Sequence, residues 1–225
     1  MTIPIKIIPV KDLKEKPDQE KIWDVISVPW DIYVIKKLAI VDEFLNDKKG
    51  KVLDLGCGSG RNMVPNKDIK YFGVDFSDNQ LVNAKKNVEK KGANAEFFKS
   101  NADDLTCFKD KVFDAGLFIA TLHCLETKKA REDSLREFYR TLKKDSEGLI
   151  SVWNSDTSRF NGKKGEVYMS WKKDDVSYMR YYYLYDKQEL IDLLEDVGFE
   201  VLEFYEPREK DRFFRMNWII RVRKQ

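Results

Sequence analysis

One short segment constrains the fold of this chain more than any other. Residues 52–55 read Val-Leu-Asp-Leu, a β-rich run, and glycines follow at positions 56, 58 and 60. Glycine lets the backbone turn sharply and lets a ligand approach closely, because it has no Cβ. The helix that begins after such a turn favours negative charge at its N-terminus. The pattern predicts a strand, a ligand-binding turn and a helix; the alternatives are a purely structural turn or a different nucleotide site.

Two acidic residues near this turn indicate the chemistry of the ligand. A nicotinamide fingerprint reads G-x-G-x-x-G, whereas here the third glycine comes one residue early and position 61 is arginine. Asp54, two positions before the first glycine, suits a cationic amino group better than a pyrophosphate. Asp75 follows the second predicted strand, where a carboxylate can accept both hydroxyls of a ribose. A ligand with a ribose and an ammonium group but no phosphate is S-adenosylmethionine (SAM).

Strand and helix signals alternate after the glycine turn. In chain order they are strand 51–55, strand 71–74, helix 81–91, strand 95–99, strand 112–120, helix 128–144 and strand 149–153. This alternation predicts an α/β fold with a parallel, doubly wound sheet. A helix at 187–197 and two β-rich runs at 200–205 and 213–222 close the chain, and we expect the two runs to form an antiparallel hairpin.

The organisation predicted from the sequence is a helical segment at residues 1–48, packed on a core at residues 49–225. A length of 225 residues favours one large domain over two. Apolar residues at helical spacing between positions 18 and 45 predict a helix, which Pro29 should break or restart. Residues 154–185 are polar, aromatic and too long for an ordinary connection, so we expect a substrate-facing insertion there.

These motifs resemble those of the class I SAM-dependent methyltransferases. The resemblance rests on Asp-x-Gly-x-Gly-x-Gly at 54–60 and on residues 73–77 and 112–115. It implies a Rossmann-like, seven-stranded mixed sheet whose last strand is antiparallel, with SAM as methyl donor and S-adenosylhomocysteine as product. The family usually has Gly-Asp-Ala where this chain has Ser-Asn-Ala at 100–102, and Asn101 can still accept a hydrogen bond. The implied cofactor-binding residues are Asp54, Gly56, Cys57, Gly58, Gly60, Asp75, Phe76, Asn101, Ala102, Ile119 and Ala120.

Further stretches resemble the tRNA wobble-uridine carboxymethyl methyltransferases, a family that includes the methyltransferase domain of AlkB-type tRNA hydroxylases. They are residues 56–63, 118–125, 152–154, 168–171, 180–185 and 217–218. The chain departs from the family in two places: no arginine lies just before Pro29-Trp30, and His123-Cys124 replaces a pair of histidines. The departures leave the cofactor site intact and the exact acceptor open. The implied substrate-binding residues are Trp30, Arg61, Trp153, Trp171, Arg180 and Tyr181.

The resemblance implies tRNA as a partner, and a small zinc-binding activator subunit as a second one. Lysines and tyrosines interleave in residues 154–185, and residues 205–225 carry seven basic side chains against three acidic ones. Cations for phosphates and rings for unpaired bases are what single-stranded RNA loops require. The alternative is solvated charge with the rings in the core. Because the net charge is only +2, the whole surface does not attract polyanions, and no DNA or membrane partner is expected.

Methyl transfer is an in-line displacement at a sulfonium methyl group, so placing the acceptor is its main requirement. A carboxymethyl acceptor is ionised at pH 7 and needs no general base. His123, the only histidine, is therefore interpreted in three ways: a packed ring, a substrate contact or a general base. We assign no catalytic group, and the positioning candidates are Arg61, His123 and Arg180. The two arginines are preferred partners for the acceptor carboxylate, because guanidinium binds carboxylates bidentately.

Cysteine usage bears on metal binding and on the compartment. Three cysteines without a C-x-x-C pair predict neither a disulfide framework nor a zinc site. With no recognisable signal peptide or membrane span, a cytoplasmic location is expected. Three functions stay open at this point: methylation of a modified wobble uridine in tRNA, methylation of a small metabolite, and SAM binding without activity as a partner subunit.

Overall fold

The computed structural model describes residues 6–9, 15–33, 38–173, 175–205 and 216–225, with the side chains of residues 28–33 and 173 outside that description. The strands are β1 (Ile7–Pro9), β2 (Gly50–Leu55), β3 (Ile69–Asp75), β4 (Ala95–Lys99), β5 (Phe113–Ile119), β6 (Leu142–Trp153), β7 (Gly165–Lys173), β8 (Val176–Leu184), β9 (Phe199–Tyr205) and β10 (Asn217–Lys224). The helices are α1 (Gln19–Tyr33), α2 (Ala39–Leu45), α3 (Asp78–Lys91), α4 (Lys128–Thr141) and α5 (Lys187–Val197), with a 3₁₀ turn at Leu122–Cys124. None of the helices in the described ranges has the length and apolar character that crossing a membrane requires.

A seven-stranded sheet lies at the centre of the protein, in the order β4-β3-β2-β5-β6-β10-β9. Strands β2 to β6 pair in parallel, whereas β10 is antiparallel to both of its neighbours, β6 and β9. The predicted doubly wound, mixed sheet with an antiparallel last strand is therefore confirmed. The chain proceeds outward from β2 to β4 and then returns to the other side of β2, so the strand order reverses between β2 and β5. Ligands of such sheets bind at this reversal, outside the carboxyl ends of the strands.

Apolar side chains cover both faces of the sheet. Val52 and Leu53 are neighbours on β2, are fully buried and belong to two separate core clusters. The cluster of Leu53 includes Phe138 of α4, whereas the cluster of Val52 includes Leu81 of α3. A parallel strand that is buried on both faces needs apolar residues at consecutive positions. Asp54 interrupts that rule on β2, and its burial therefore needs a separate explanation.

The ends of α3 follow from the sequence. Ser77 precedes the helix, and its hydroxyl oxygen accepts a hydrogen bond from the Gln80 N–H at 3.2 Å. Gly92 follows the helix with a φ of 73°, a left-handed conformation that glycine adopts readily. Ser77 caps the start of α3 two residues after the end of β3, so the first turn of the helix lies at the carboxyl end of that strand.

Residues 154–185 contribute most of a second sheet. Strands β7 and β8 form an antiparallel hairpin, and β1 pairs with the outer side of β7. One face of this sheet packs as an apolar cluster against Trp153, the last residue of β6. The buried members of that cluster are Phe160, Val167, Met169, Tyr182 and Leu184. The insertion is therefore a folded unit beside the carboxyl end of β6.

Helix α1 bridges the second sheet and α3. The Gln19 side chain accepts a hydrogen bond from the Tyr181 N–H at 2.8 Å and donates one to the Met179 carbonyl at 3.2 Å. Further along the helix, the Asp24 carboxylate accepts a short hydrogen bond from the Ser77 hydroxyl. These contacts fix α1 between the two sheets.

The predicted break at Pro29 is wrong, because α1 continues through that position to Tyr33. Proline in a helix interior removes one backbone hydrogen bond and costs roughly 3 kcal/mol. The helix buries Ile22 and Ile26 completely or nearly so. Burial of these side chains, together with the contacts of Gln19 and Asp24, offsets the local penalty, which the residue type alone could not show.

Candidate active site

A cavity of about 570 Å³ opens at the carboxyl ends of β2, β3 and β5. Its walls come from the glycine turn after β2, the junction of β3 and α3, the loop after β4 and the segment after β5. Helix α1 contributes Trp23 and β6 contributes Trp153. The cavity thus lies at the reversal of the strand order, where a doubly wound sheet binds its ligand.

The three glycines of the turn all have a positive φ, but they differ in what surrounds the position of a Cβ. A Cβ at Gly56 would lie 2.2 to 2.6 Å from side-chain atoms of Thr121, and one at Gly60 would lie 2.9 Å from Val88 of α3. A Cβ at Gly58 would have only the Gln80 Oε1 within 4 Å, at 3.8 Å. Two of the glycines therefore allow close packing of the protein, whereas Gly58 leaves open space at the cavity.

Asp75 joins the turn to β3. One carboxylate oxygen accepts a hydrogen bond from the Gly58 N–H at 2.9 Å, and the other accepts one from the Ser77 N–H at 3.0 Å. Burial raises the pKa of Asp75 to about 6, although these N–H groups lower it. Each carboxylate oxygen has a second lone pair. Asp75 is therefore fixed in orientation and retains the capacity to accept hydrogen bonds from a diol.

Asp54 is fully buried at the end of β2, next to the cavity lining. Neither of its carboxylate oxygens accepts a hydrogen bond of normal geometry from a described residue. Burial raises the pKa of Asp54 to about 7, although the nearby Arg61 guanidinium and the Asn62 amide lower it. A buried carboxylate without donors is costly. Its environment therefore fits a ligand that brings N–H donors and positive charge.

Arg61 lines the cavity directly after the turn. Burial lowers the pKa of Arg61 to about 10, which leaves the guanidinium charged at neutral pH, and Asp54 acts in the opposite direction. The ammonium of Lys91 donates hydrogen bonds to the carbonyls of Gly60 and Arg61, at 3.0 and 3.2 Å, and so holds this part of the turn against α3. The backbone that carries Arg61 is therefore fixed.

Most of the residues predicted to bind the cofactor come together at the cavity. Those that line it are Gly56, Cys57, Gly58, Asp75, Phe76, Asn101, Ala102, Ile119 and Ala120, whereas Asp54 and Gly60 lie outside the lining. Ala120 has a φ of 57°, and its N–H donates to the carbonyl and the hydroxyl of Ser151 at 3.0 and 2.9 Å. Such a backbone in a non-glycine residue is uncommon and clusters at functional sites.

Only some of the residues predicted to bind the substrate lie at the cavity. Arg61 and Trp153 line the cavity, whereas Trp171, Arg180 and Tyr181 belong to the second sheet and lie outside the lining. The side chain of Trp30 falls outside the described residues. The Tyr181 hydroxyl accepts a hydrogen bond from Arg131 and donates one to Glu166, both at 3.0 Å. The Arg180 guanidinium is buried, 5.1 to 5.7 Å from the ring centres of Trp23, Trp171 and Tyr182.

His123 lies in a buried stack of rings outside the cavity lining. Its ring centre is 5.5 Å from that of Trp153 and 5.5 Å from that of Tyr182. Burial, aided by the nearby Arg180 charge, lowers the pKa of His123 to about 3. A neutral, buried imidazole in this position matches the packed-ring interpretation, and it is not placed to take a proton from an acceptor in the cavity.

Several lining residues were missed from the sequence. They are Gln19, Trp23, Asn62, Gln80, Thr121, Glu126 and Asn217, among others. Gln80 had a signal, since it lies three positions after Ser77, a residue type that commonly caps a helix, and thus on the first turn of α3. Trp23 had none, because only the packing of α1 brings it to the cavity.

Comparison with known proteins identifies the class of protein to which this fold and cavity belong. The sequence matches a methyltransferase domain family over residues 52–145. It is 31% identical over 159 residues to a protein of Encephalitozoon cuniculi named as a candidate methyltransferase, covering 68% of this chain and 71% of that protein. A SAM-dependent methyltransferase from Methanosarcina mazei has the same fold, with a TM-score of 0.67 at 21% identity over 84% of this chain and 98% of that one.

The chain therefore belongs to the class I SAM-dependent methyltransferases. It is also 27% identical over 166 residues to the tRNA (carboxymethyluridine(34)-5-O)-methyltransferase of Saccharomyces cerevisiae, and the match covers 70% of this chain and 57% of the yeast protein. The cavity fits SAM on its own chemistry. The buried Asp54 oxygens without donors suit an ammonium group, the open space at Gly58 leaves room for a ligand, and Asp75 suits a ribose.

Proposed function

We propose that this protein methylates a carboxymethyl-type modified uridine at the wobble position of tRNA, in the cytoplasm and with SAM as donor. The observation that carries the proposal is the similarity to the yeast tRNA (carboxymethyluridine(34)-5-O)-methyltransferase, which covers 70% of this chain. The motifs shared with that family, from the glycine turn to Asn217-Trp218, support it further.

SAM supplies an electrophilic methyl group on a sulfonium. On this proposal Asp54 would hold the ammonium group and Asp75 the ribose, and Ile119 and Ala120, which line the cavity at the end of β5, would be the residues near the transferred methyl group. An oxygen of the acceptor carboxylate attacks the methyl carbon in line with the C–S bond. The O–CH₃ bond forms as the S–CH₃ bond breaks, and the electron pair of that bond stays on sulfur as a thioether. No proton is transferred, which agrees with the buried position of His123.

Placement of the acceptor is then the main contribution of the chain. Trp153 and Asn217 line the cavity and lie at the ends of β6 and β10, on the side toward the second sheet. Exposed cations of that region, Lys164 and Lys172, form ion pairs with Asp156 and Asp175 at 2.9 and 2.8 Å. Because exposed ion pairs contribute little, phosphates can compete for these lysines.

A small-molecule methyltransferase is the second candidate. Three carboxylates, those of Asp75, Asp103 and Glu126, line the cavity, and Arg61 is the one cation among the described lining residues. This charge balance favours an acceptor without phosphate groups close to the site. A methyltransferase for tRNA must instead gain its affinity outside the cavity, and its binding should weaken steeply with salt.

Nucleoside mass spectrometry of tRNA from cells that lack this protein tests the proposal. We expect the methyl ester at the wobble uridine to disappear and the free carboxymethyl nucleoside to accumulate. The wild-type gene should restore the ester, and a gene carrying Asp75→Ala should not. The assay in cells keeps any partner subunit that the activity requires, such as the zinc-binding activator that the family resemblance implies, so a missing partner does not confuse the result. An unchanged nucleoside profile would exclude the tRNA function and favour a metabolite acceptor.

The third alternative, a SAM-binding partner subunit without activity, is separated by a second measurement. The purified protein is incubated with methyl-labelled SAM and with tRNA from the deletion strain, with and without an extract of those cells. Label should enter the tRNA in at least one of the two conditions. Binding of S-adenosylhomocysteine without label in tRNA or in small molecules would support the inactive subunit.

A further inference from the structure

Trp23 and Trp153, which line the cavity, each have an arginine beside the ring. Trp23 belongs to α1, and Trp153 ends β6. The guanidinium carbon of Arg159 is 5.1 Å from the ring centre of Trp153, and that of Arg180 is 5.7 Å from the ring centre of Trp23. Indole rings attract cations over their faces. Two positive charges therefore lie next to lining residues, although neither arginine belongs to the lining itself.

The ring of Trp153 has fixed surroundings. The Tyr182 ring stacks on it, with the ring centres 4.3 Å apart and the planes within 16°. The ring of Phe160, which is fully buried, has its centre 5.2 Å away. Burial raises the pKa of the Tyr182 hydroxyl well above its usual value, although the charges of Arg180 and Arg159 act in the opposite direction. Packing therefore holds this wall of the cavity in place, and the positive charge of both guanidinium groups reaches it.

The segment that carries Arg159 is held on both sides of that residue. The N–H and the hydroxyl of Thr157 donate hydrogen bonds to the Asn154 carbonyl at 3.4 and 3.1 Å. The Phe160 N–H donates one to the Thr157 carbonyl at 3.0 Å. Arg159 itself is half-buried. The backbone therefore places the guanidinium beside Trp153 before an acceptor binds, which lowers the entropic cost of binding.

The position of Arg159 suits an acidic acceptor. The carboxylates of the described lining follow β3, β4 and β5, whereas Trp153 ends β6, the next strand of the sheet. A guanidinium binds a carboxylate through two parallel hydrogen bonds. We propose that Arg159 binds the carboxylate of the methyl acceptor beside Trp153. Arg159, which no sequence pattern singled out, then has the role that the sequence suggested for other arginines.

Methylation removes the charge that Arg159 recognises. The acceptor carboxylate is an anion, whereas the methyl ester is neutral and gives up charge-assisted hydrogen bonds, which are roughly twice as strong as neutral ones. The acid should therefore bind more tightly than the ester, and the product should leave more readily. This proposal rests on the proposed function, because it takes a carboxymethyl group as the acceptor.

Binding of three RNA anticodon stem-loops tests the proposal. They carry uridine, 5-carboxymethyluridine or its methyl ester at the wobble position, and calorimetry is done with S-adenosylhomocysteine present, so that no methyl group is transferred. We expect the wild-type protein to bind the acid about tenfold more tightly than the ester, or better. Arg159→Gln should reduce this preference to about twofold or less and leave the affinity for the ester unchanged. Arg159→Lys should keep part of the preference, because it keeps the charge but not the bidentate geometry.

Lys163→Gln is the matched control, because Lys163 is an exposed cation of the same segment. It should weaken binding of the acid and the ester equally and leave the preference for the acid unchanged. A preference for the acid that survives in Arg159→Gln would overturn the proposal but not the tRNA function. An equal loss of acid and ester in Arg159→Gln would mean that Arg159 only supports Trp153 or attracts RNA in general, and would overturn the proposal as well.

The wild-type protein separates the two levels of the argument. Equal affinity for acid and ester, both above that for uridine, would overturn only the role of Arg159. Equal affinity for all three stem-loops would remove the tRNA function and this proposal with it. Thermal unfolding of each variant shows whether it is folded. Arg159→Met, whose flexible side chain can still pack on Trp153, provides the test if Arg159→Gln is not folded.

Discussion

The cavity and the second sheet both contain buried polar and aromatic side chains, but these groups find their partners in different places. At the cavity, the carboxylate of Asp54 and the amide oxygens of Asn62 and Gln80 accept no hydrogen bond of normal geometry from a described residue. In the second sheet, the Tyr181 hydroxyl is hydrogen-bonded on both sides, and the Arg180 guanidinium lies among three aromatic rings. Tyr181 is therefore satisfied within the second sheet, whereas Asp54, Asn62 and Gln80 keep acceptor capacity beside the cavity.

The difference shows how residue type can mislead. Tyrosine, tryptophan and arginine interleaved in an insertion predict a surface that binds RNA bases, and the same residues also build an aromatic core. Burial and hydrogen-bond partners separate the two cases, because a ligand-binding group keeps unused donors or acceptors in the absence of its ligand. The following predictions test the cavity and the second sheet separately.

Gly56→Ala should have the largest effect. A Cβ at this position would lie 2.2 to 2.6 Å from Thr121 atoms, and a φ of 71° costs an L-residue roughly 1 to 2 kcal/mol. We expect the free energy of unfolding to fall by about 3 kcal/mol or more, with loss of S-adenosylhomocysteine binding. Urea denaturation and calorimetry measure the two effects.

Gly92→Ala is the control for that variant. Gly92 also has a φ of 73°, but a Cβ added there would have no atom within 4 Å. Only the conformational cost of about 1 kcal/mol should remain, with S-adenosylhomocysteine affinity unchanged. If both variants lose the same stability and both bind the ligand, close packing at Gly56 has no special importance.

The pH dependence of the free energy of unfolding should reveal the raised pKa of Asp54. Its pKa is about 7 in the folded state and near its ordinary, lower value in the unfolded chain, so the folded state binds more protons between pH 4 and 7. The free energy of unfolding of the ligand-free protein should therefore fall as pH rises through this window and level off above about pH 7. Asp75 has a pKa of about 6, so it also lowers the free energy of unfolding as the pH rises, up to about pH 6.

Asp54→Asn isolates the contribution of Asp54. Denaturation of this variant should keep only the decrease below about pH 6, which belongs to Asp75. In the wild-type protein, S-adenosylhomocysteine should raise the Tm more at pH 8 than at pH 5.5, because its ammonium group favours the ionised carboxylate. A ligand effect that does not change with pH would argue against contact between Asp54 and the ammonium.

Tyr181→Phe should have the smallest effect, and on stability alone. The change removes the hydrogen bonds to Arg131 and Glu166, so we expect a loss of about 1 to 2 kcal/mol in the free energy of unfolding. Ligand affinity should stay within twofold, since Tyr181 lies outside the cavity lining. Tyr178→Phe, at a half-buried residue of the same strand, is the control for loss of a tyrosine hydroxyl. A large loss of ligand or tRNA binding without loss of stability would restore the substrate role of Tyr181.

The cofactor half could be predicted because its signals are local. The glycine turn, Asp54 and Asp75 lie within 25 residues of one another, and their positions at the carboxyl end of the sheet follow from backbone geometry and from the order of strands. The alternation of β-rich runs with segments of helical spacing likewise predicted the order of helices and strands. The acceptor side was harder, because Trp23, Gln80 and Asn217 come from three distant segments. No spacing in the sequence relates them.

The sequence by itself determined the class I methyltransferase sheet and the place of its cofactor turn, since both depend on which residues can turn, pack or cap a helix locally. Only the tertiary structure decided that α1 continues past Pro29, that His123 is a neutral ring in a stack, and that Tyr181 is held by Arg131 and Glu166. These outcomes depend on burial and on partners from remote parts of the chain. The chemistry of a side chain is known from the sequence, but packing determines which groups it contacts.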